Sequence, residues 1–289
     1  MKEPKKLRIG MTDPEGPLAR HLRDVFARSD VPVSRFVPLG TEKDAGKIKA
    51  LEEEPVIFVA PARETIGDLD LLVLGGSPAD EESRRLAREN EVPVWDLAES
   101  PAAAMGCDAI LEAAAPESAV FTLLVPAAEE GTEGIQELFR QTSDALNFRD
   151  TESAVFGNRL AFNLLRDAKT EALDRRVEAH LAKRFPSSPA IVLVARAALF
   201  HGYAGSAVLR FADDAAAQRA AARLRGTPGV FSGKAPGAAS PAAAVENAAV
   251  GIDPPVVSRD TLTVWFAFDG LALAAEAVLS RARALLRNV

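Results

Sequence analysis

Short apolar runs alternate with helical or looping connections through the first hundred residues, and that alternation leaves few folds open to the chain. Residues 7–11 read as a buried strand, and residues 17–28 carry Leu18, Leu22, Val25 and Phe26 at the spacing of an amphipathic helix. Further strands are expected at 33–39, 56–60, 69–74 and 92–97, with a charged helix at 81–90. Parallel strands need crossover connections, so this grammar predicts a mostly parallel sheet covered on both faces.

Beyond Ala98 the order becomes irregular. Helices are expected at 102–115, 134–146, 171–185, 214–225 and 271–286, and strands at 119–125, 190–195, 205–211 and 261–268. Unalternated strands and helices indicate an α+β second domain. Residues 226–253 are rich in Gly, Pro and Ala with few large apolar side chains, and read as a long surface loop.

The 289 residues carry a formal net charge of -7. A nucleic-acid partner is not expected, because phosphate neutralisation needs clustered Lys and Arg. Charges or prolines interrupt every apolar run before membrane-spanning length, and no secretory signal is recognisable near Met1, so a cytoplasmic protein without a membrane partner is expected. Cys107 is the only cysteine, and His21, His180 and His201 lie in unrelated segments without ligand spacing, so neither a disulfide nor a metal is expected.

Several segments, in order, resemble the aspartate-semialdehyde dehydrogenase family. Gly10-Met11-Thr12-Asp13-Pro14-Glu15-Gly16 stands where that family has G-A-T-G-x-x-G, and the segment Thr41 to Lys47 where it has S-x-R-S-A-G-K. Gly75-Gly76-Ser77 and Val94-Trp95-Asp96 resemble its G-G-S turn and V-I-D strand end. Gly131-Thr132-Glu133-Gly134-Ile135 with Gln141-Thr142, Ala161-Phe162-Asn163, and Arg196 onward through Phe211 follow its dimerisation domain. Pro228-Gly229-Val230, Ser240-Pro241, Val250-Gly251 and the stretch from Trp265 to Leu271 continue the match.

The resemblance implies an α/β architecture: a Rossmann-type parallel-sheet N-terminal domain over 1–100, an α+β dimerisation domain over 101–269, and a C-terminal helix, 270–289, packing back on the first domain. It further implies a homodimer and, for the family reaction, NADP, a cysteine nucleophile and a histidine acid/base.

The residues that would perform this chemistry depart from the pattern. No N-C-[ST] nucleophile turn is present, and the chain is shorter than the family between Asp96 and Val120. Cys107, beside Asp108, is a poor substitute, because a neighbouring carboxylate raises a thiol pKa. It is expected to be a small, half-buried core residue. Tyr203 stands at the family histidine position, and a phenol is a weak general base at neutral pH. His201, two residues earlier, is expected to be a solvated or structural histidine and not a substitute. The Q-A-x-S-G-A-G loop has become the segment from Val125 to Gly131, with acids at Glu129 and Glu130.

Arg196 matches the substrate-binding arginine; it is suited to a carboxylate, or equally to an internal ion pair with a helix acid such as Glu178. Gly10, Thr12, Gly16, Thr41, Lys43, Gly75 and Gly76 are the cofactor-binding remnants. Asp13 replaces the middle glycine and puts negative charge where a pyrophosphate would sit, while Pro14 and Pro17 remove N–H donors. Thr41, Lys43 and Lys47 are either a phosphate rest or ordinary solvated side chains. No NADP binding, or weak binding, is expected.

Three functions follow: an inactive homologue acting as a dimeric scaffold or regulatory subunit for a protein partner, an oxidoreductase using direct hydride transfer on another substrate, or an acidic-metabolite sensor using Arg196.

Overall fold

A computed structural model describes residues 5–51, 54–235, 237–245 and 247–287. Within them the chain forms two compact units, residues 5–100 with 274–287, and residues 101–273.

In the first unit, β1 (Leu7–Met11), α1 (Pro17–Ala27), β2 (Val33–Pro38), β3 (Ile48–Leu51), β4 (Glu54–Ile57), α2 (Arg63–Gly67), β5 (Leu71–Leu74), α3 (Asp80–Glu89) and β6 (Val94–Asp96) follow one another. The main sheet has the order β2-β1-β5-β6 with all pairings parallel. Every residue of the Leu-Leu-Val-Leu strand β5 is buried, as a central strand covered on both faces requires. Leu18, Leu22 and Phe26 form the buried stripe of α1, and Phe26 meets Phe36 of β2 edge-on at 5.6 Å. Leu39, Ile66, Leu72, Leu74 and Leu86 belong to one buried apolar cluster. Asp80, Glu81 and Glu82 occupy the first turn of α3, where the helix dipole favours negative charge.

The expected strand at 56–60 is corrected. β4 ends at Ile57 and pairs antiparallel with β3 as a separate hairpin, while one parallel bridge, Leu39 to Val59, ties the following residues to the end of β2. Ile48 and Ile57 are exposed, so this segment does not bury the two faces that a strand inside the parallel sheet needs.

The second unit opens with a 3-10 turn, Ala102–Ala104, and α4 (Met105–Ala114). β7 (Ser118–Val125), a second 3-10 turn (Ala127–Glu130), α5 (Gly131–Leu146), β8 (Leu164–Leu165), α6 (Ala168–Arg184), β9 (Ala190–Ala197), β10 (Tyr203–Arg210) and α7 (Asp214–Gly226) come next. β11 (Val230–Ser232), α8 (Pro241–Ala244), β12 (Val250–Ile252), β13 (Val256–Ser258), β14 (Thr261–Phe268) and α9 (Gly270–Arg287) complete the order. Residues of α9 from 274 onward belong to the first unit, where Arg283 pairs with Asp30 at 2.9 Å.

The mixed sheet runs β11-β12-β14-β10-β7-β9-β8, with β13 also on β14. Its strands alternate: Phe121, Leu123, Val192, Val194, Ala207, Leu209, Val264 and Phe266 are buried, whereas Val120, Ile191, Leu193 and Val208 on the other face are exposed. Where β8 does not pair with it, the outer edge of β9 is closed by α6, since the Val192 amide donates to Glu178 at 2.9 Å and the Val194 amide to Asp174 at 2.6 Å. Pairing an edge strand with helix carboxylates leaves no template for another strand there.

The surface loop expected at 226–253 is also corrected. It holds β11, α8 and β12, with Val250 and Ile252 fully buried and Ser240 capping α8 through the Ala243 amide. Three-residue strands carry too little periodicity to be read from sequence.

Candidate functional site

Arg196 lies near the end of β9 and is only 2% exposed. Its Nη1 donates to Asp167 Oδ2 at 3.0 Å, its Nη2 donates to Glu130 Oε1, and its guanidinium lies 5.3 Å from the Phe156 ring centroid. Nε is buried with no hydrogen-bond partner. Glu130 also accepts from Lys169 Nζ at 2.8 Å. Asp167 caps α6: Oδ1 accepts the Thr170 amide at 2.8 Å while Thr170 Oγ1 accepts the Asp167 amide, a reciprocal capping box. Burial pushes the Asp167 carboxyl up, but the Thr170 amide, the Arg196 charge and the Thr170 hydroxyl together hold it below the usual carboxylate range. Glu178, expected as a partner of Arg196, instead serves the edge of β9.

The neighbouring acid goes the other way. Tyr203 Oη donates to Glu129 Oε2 at 2.5 Å, and the Tyr203 ring stacks on Phe268 at 5.0 Å. Burial, then the Glu129 charge, drives the phenol well above its ordinary value. Burial raises Glu129 as well, against the pull of the Tyr203 hydrogen bond. A phenol this reluctant to ionise is a donor here, not a base. Val125, the residue where the family loop would begin, is fully buried.

His201 is exposed and sits in the bend before β10, with Gly202 at φ 75° turning the chain into the strand. His201 lines a groove of about 870 Å³ with Phe200, Ile135, Phe139 and Val155.

Cys107 is fully buried in α4, which packs against α7 and β14, and is thus more deeply placed than the half-buried position expected. Burial, then Asp108, pushes the thiol well above its ordinary value. Asp108 itself faces His180 Nε2 at 2.9 Å. This thiol has neither the access nor the charge environment of a nucleophile.

In the first unit the glycine-rich turn is filled from within. Thr12 Oγ1 donates to Asp80 Oδ1 and accepts the Gly75 amide at 2.9 Å, and the Gly76 amide donates to Asp80 Oδ2 at 2.9 Å. Gly10 is buried in β1. The Asp13 side chain lies between Gly16 and Gly75: a Cβ at Gly16 would fall 1.7 Å from Asp13 Oδ2, and one at Gly75 would fall 2.7 Å from Asp13 Cβ. Burial, then the charges of Asp80 and Glu15, raises the Asp13 carboxyl.

At the next remnant, Thr41 Oγ1 donates to Asp44 Oδ2 at 2.6 Å and Lys47 Nζ to Asp44 Oδ1 at 2.9 Å. The Thr41 hydroxyl first and Lys47 second lower the Asp44 carboxyl to about 2. Lys43 is exposed.

Sequence reasoning missed the acids at the centre of these clusters: Asp44, Asp80, Glu130 as a partner of Arg196, and Asp167. Only the Asp167-x-x-Thr170 spacing carried a local signal, that of a helix cap. Among the described residues no group of His, Cys, Asp and Glu side chains is placed to hold a metal, and no helix is long and apolar enough to cross a membrane.

No family model and no curated protein matches the sequence. Solved structures do. The chain is similar to a probable aspartate-semialdehyde dehydrogenase from Pseudomonas aeruginosa, with a TM-score of 0.79 and 20% identity over 96% of this chain and 98% of that one. Aspartate semialdehyde dehydrogenase II from Vibrio cholerae, solved in complex with ASA, gives a TM-score of 0.74 at 16% identity over 98% and 99%. The Candida albicans enzyme with NADP gives 0.65 at 10% identity over 99% and 100%. The chain thus has the two-domain fold of these enzymes.

Proposed function

We propose that this chain is a catalytically inactive member of the aspartate-semialdehyde dehydrogenase family that serves as a homodimeric scaffold or regulatory subunit. One observation carries the reading: Arg196, the residue matched to the substrate-binding arginine, is closed by two carboxylates of its own chain, Glu130 and Asp167. The same replacement of external anions by internal ones recurs at Asp13 and Asp44. Burial of the thiol of Cys107 and engagement of Tyr203 by Glu129 agree with the absence of a nucleophile and its base.

A homodimer is supported by the outward face of the mixed sheet. Ile191, Val120, Val208, Thr263 and Val256 lie in one register across β9, β7, β10, β14 and β13, and Leu193, Thr122, Ser206 and Trp265 form the next row. These two rows hold no charged side chain, so a second copy would meet the face without electrostatic opposition.

The test is a titration of the purified protein with NADPH and NADH, followed by fluorescence, together with an assay of phosphate-dependent semialdehyde oxidation. A flat titration and no turnover are expected. Saturable nucleotide binding with turnover lost in Cys107→Ala would overturn the proposal.

A further inference from the structure

We infer that residues 149–161 form a strap that leaves α5 as one piece, hinged at Phe148 and Phe162 and latched by Glu137 and Gln141. Its release widens the groove beside α5, whether or not the chain is a scaffold.

Side chains, not backbone, attach this segment. Among the described residues, the backbone-to-backbone hydrogen bonds of 150–162 are local: the Gly157 amide donates to the Ser153 carbonyl and the Asn163 amide to the Leu160 carbonyl. Two fully buried residues of α5, one turn apart, supply the rest. Glu137 accepts the Val155 amide at 2.7 Å and the Phe156 amide at 3.1 Å, and Gln141 Oε1 accepts the Leu160 amide at 2.7 Å and the Ala161 amide at 3.1 Å. Gln141 Nε2 reaches Glu137 Oε1 at 3.1 Å, Ser153 Oγ at 3.2 Å and the Asn158 carbonyl at 3.4 Å, which couples the two halves of the latch. Lys169 Nζ donates to the Val155 carbonyl at 3.2 Å, and the Phe156 ring lies against Arg196.

Freeing one pair of amides alone would strand a buried carboxylate or carboxamide, so a half-released strap costs more than the bonds it loses. The two pairs therefore part together. Phe156, Leu160 and Ala161 are buried in one cluster with Leu138, whereas Glu152, Ala154, Gly157, Asn158 and Arg159 are exposed. So small a buried surface places the opening well below global unfolding.

Both ends of the strap store strain. Phe148 at φ 54° and Phe162 at φ 60° lie in the left-handed region, which is costly for a bulky L-residue. Phe148 directly follows the C-cap of α5, a place where glycine is usual. The two residues are 99% and 69% exposed, so packing of their rings does not offset that cost. Attachment of the strap holds their backbone there, and release lets it relax. Ala154 and Val155 line the groove opposite Ile135 and Phe139 of α5, so release removes a wall and bares Leu138.

Native-state hydrogen exchange of the full chain, read residue by residue by NMR, is the test. In the wild type the amides of Val155, Phe156, Leu160 and Ala161 should share one opening free energy, lower than that of the amides in β7 and β10. Gln141→Ala should speed exchange at all four by about tenfold, including Val155 and Phe156, whose amides Gln141 does not bond, and leave β7 and β10 unchanged. Phe162→Asn, which tolerates the left-handed region, should slow all four by about fivefold. Different opening free energies for the 155–156 and 160–161 pairs in the wild type overturn the inference, as does opening only together with β7 and β10. A Gln141→Ala variant in which only Leu160 and Ala161 exchange faster also overturns it, and so does a Phe162→Asn variant that opens as fast as the wild type. If Gln141→Ala does not fold, the wild-type measurement decides by itself.

Discussion

Tyr203 Oη and Glu129 Oε2 meet at 2.5 Å, joining the first residue of β10 to the turn that follows β7 across 74 positions of sequence. The hydroxyl is buried and the carboxylate half-buried, so each depends on the other for its hydrogen bond.

Tyr203→Phe should therefore destabilise the protein by about 1–3 kcal/mol at pH 7, because the carboxylate keeps its burial and loses its donor. Glu129 already has a folded-state pKa above its unfolded value, so its protonated form is the better tolerated one in the fold. The loss should be greatest above the folded pKa and shrink as the pH falls below about 4, where the group is protonated in both states. Urea unfolding at the two pH values measures this; an equal loss at both would contradict it.

Asp13→Asn should melt higher than the wild type at pH 7. Burial, Asp80 and Glu15 raise the Asp13 carboxyl, so its contribution to stability is intact below the unfolded pKa and is lost as the pH rises through the folded one. Asparagine removes the charge and with it the cost. The difference should close below about pH 4, and a variant less stable at pH 7 would show that Asp13 is held by attractive contacts instead.

The Cys107 thiol should be silent toward a thiol-specific chromogenic reagent in the native protein and react once denaturant is added. Full burial denies access, and the raised pKa denies thiolate. Stoichiometric labelling under native conditions would reject this account.

Val120→Glu places a carboxylate in the middle of the outward row of the mixed sheet, between Ile191 and Val208. If that face joins two copies, sedimentation should show a dimeric wild type and a monomeric variant with unchanged circular dichroism. A variant that remains dimeric would place the interface elsewhere.

Where an element is long and its period is simple, its type was legible in the residues. α1 follows from Leu18, Leu22 and Phe26, β5 from four consecutive apolar residues, and the strands of the mixed sheet from alternation such as Phe121 and Leu123 against Val120 and Thr122. Each pattern is set by backbone geometry within a few residues. The β3–β4 hairpin and the three-residue strands β11 and β12 were not legible, because pairing with a partner defines such segments more than their own composition does.

The same boundary runs through the site. The order of residues alone establishes that no N-C-[ST] turn exists and that Asp13 stands inside the Gly10 to Gly16 segment. Which acid meets Arg196 was decided by the tertiary structure alone. Glu178 was as good a candidate by composition, yet Glu130 and Asp167, 66 and 29 residues away along the chain, are the ones brought within reach, while Glu178 is drawn to the Val192 amide. Charge attracts through space, at a range of a few ångströms between buried groups, and only the packing of α6 and the 127–130 turn around β9 specifies which charges come that near.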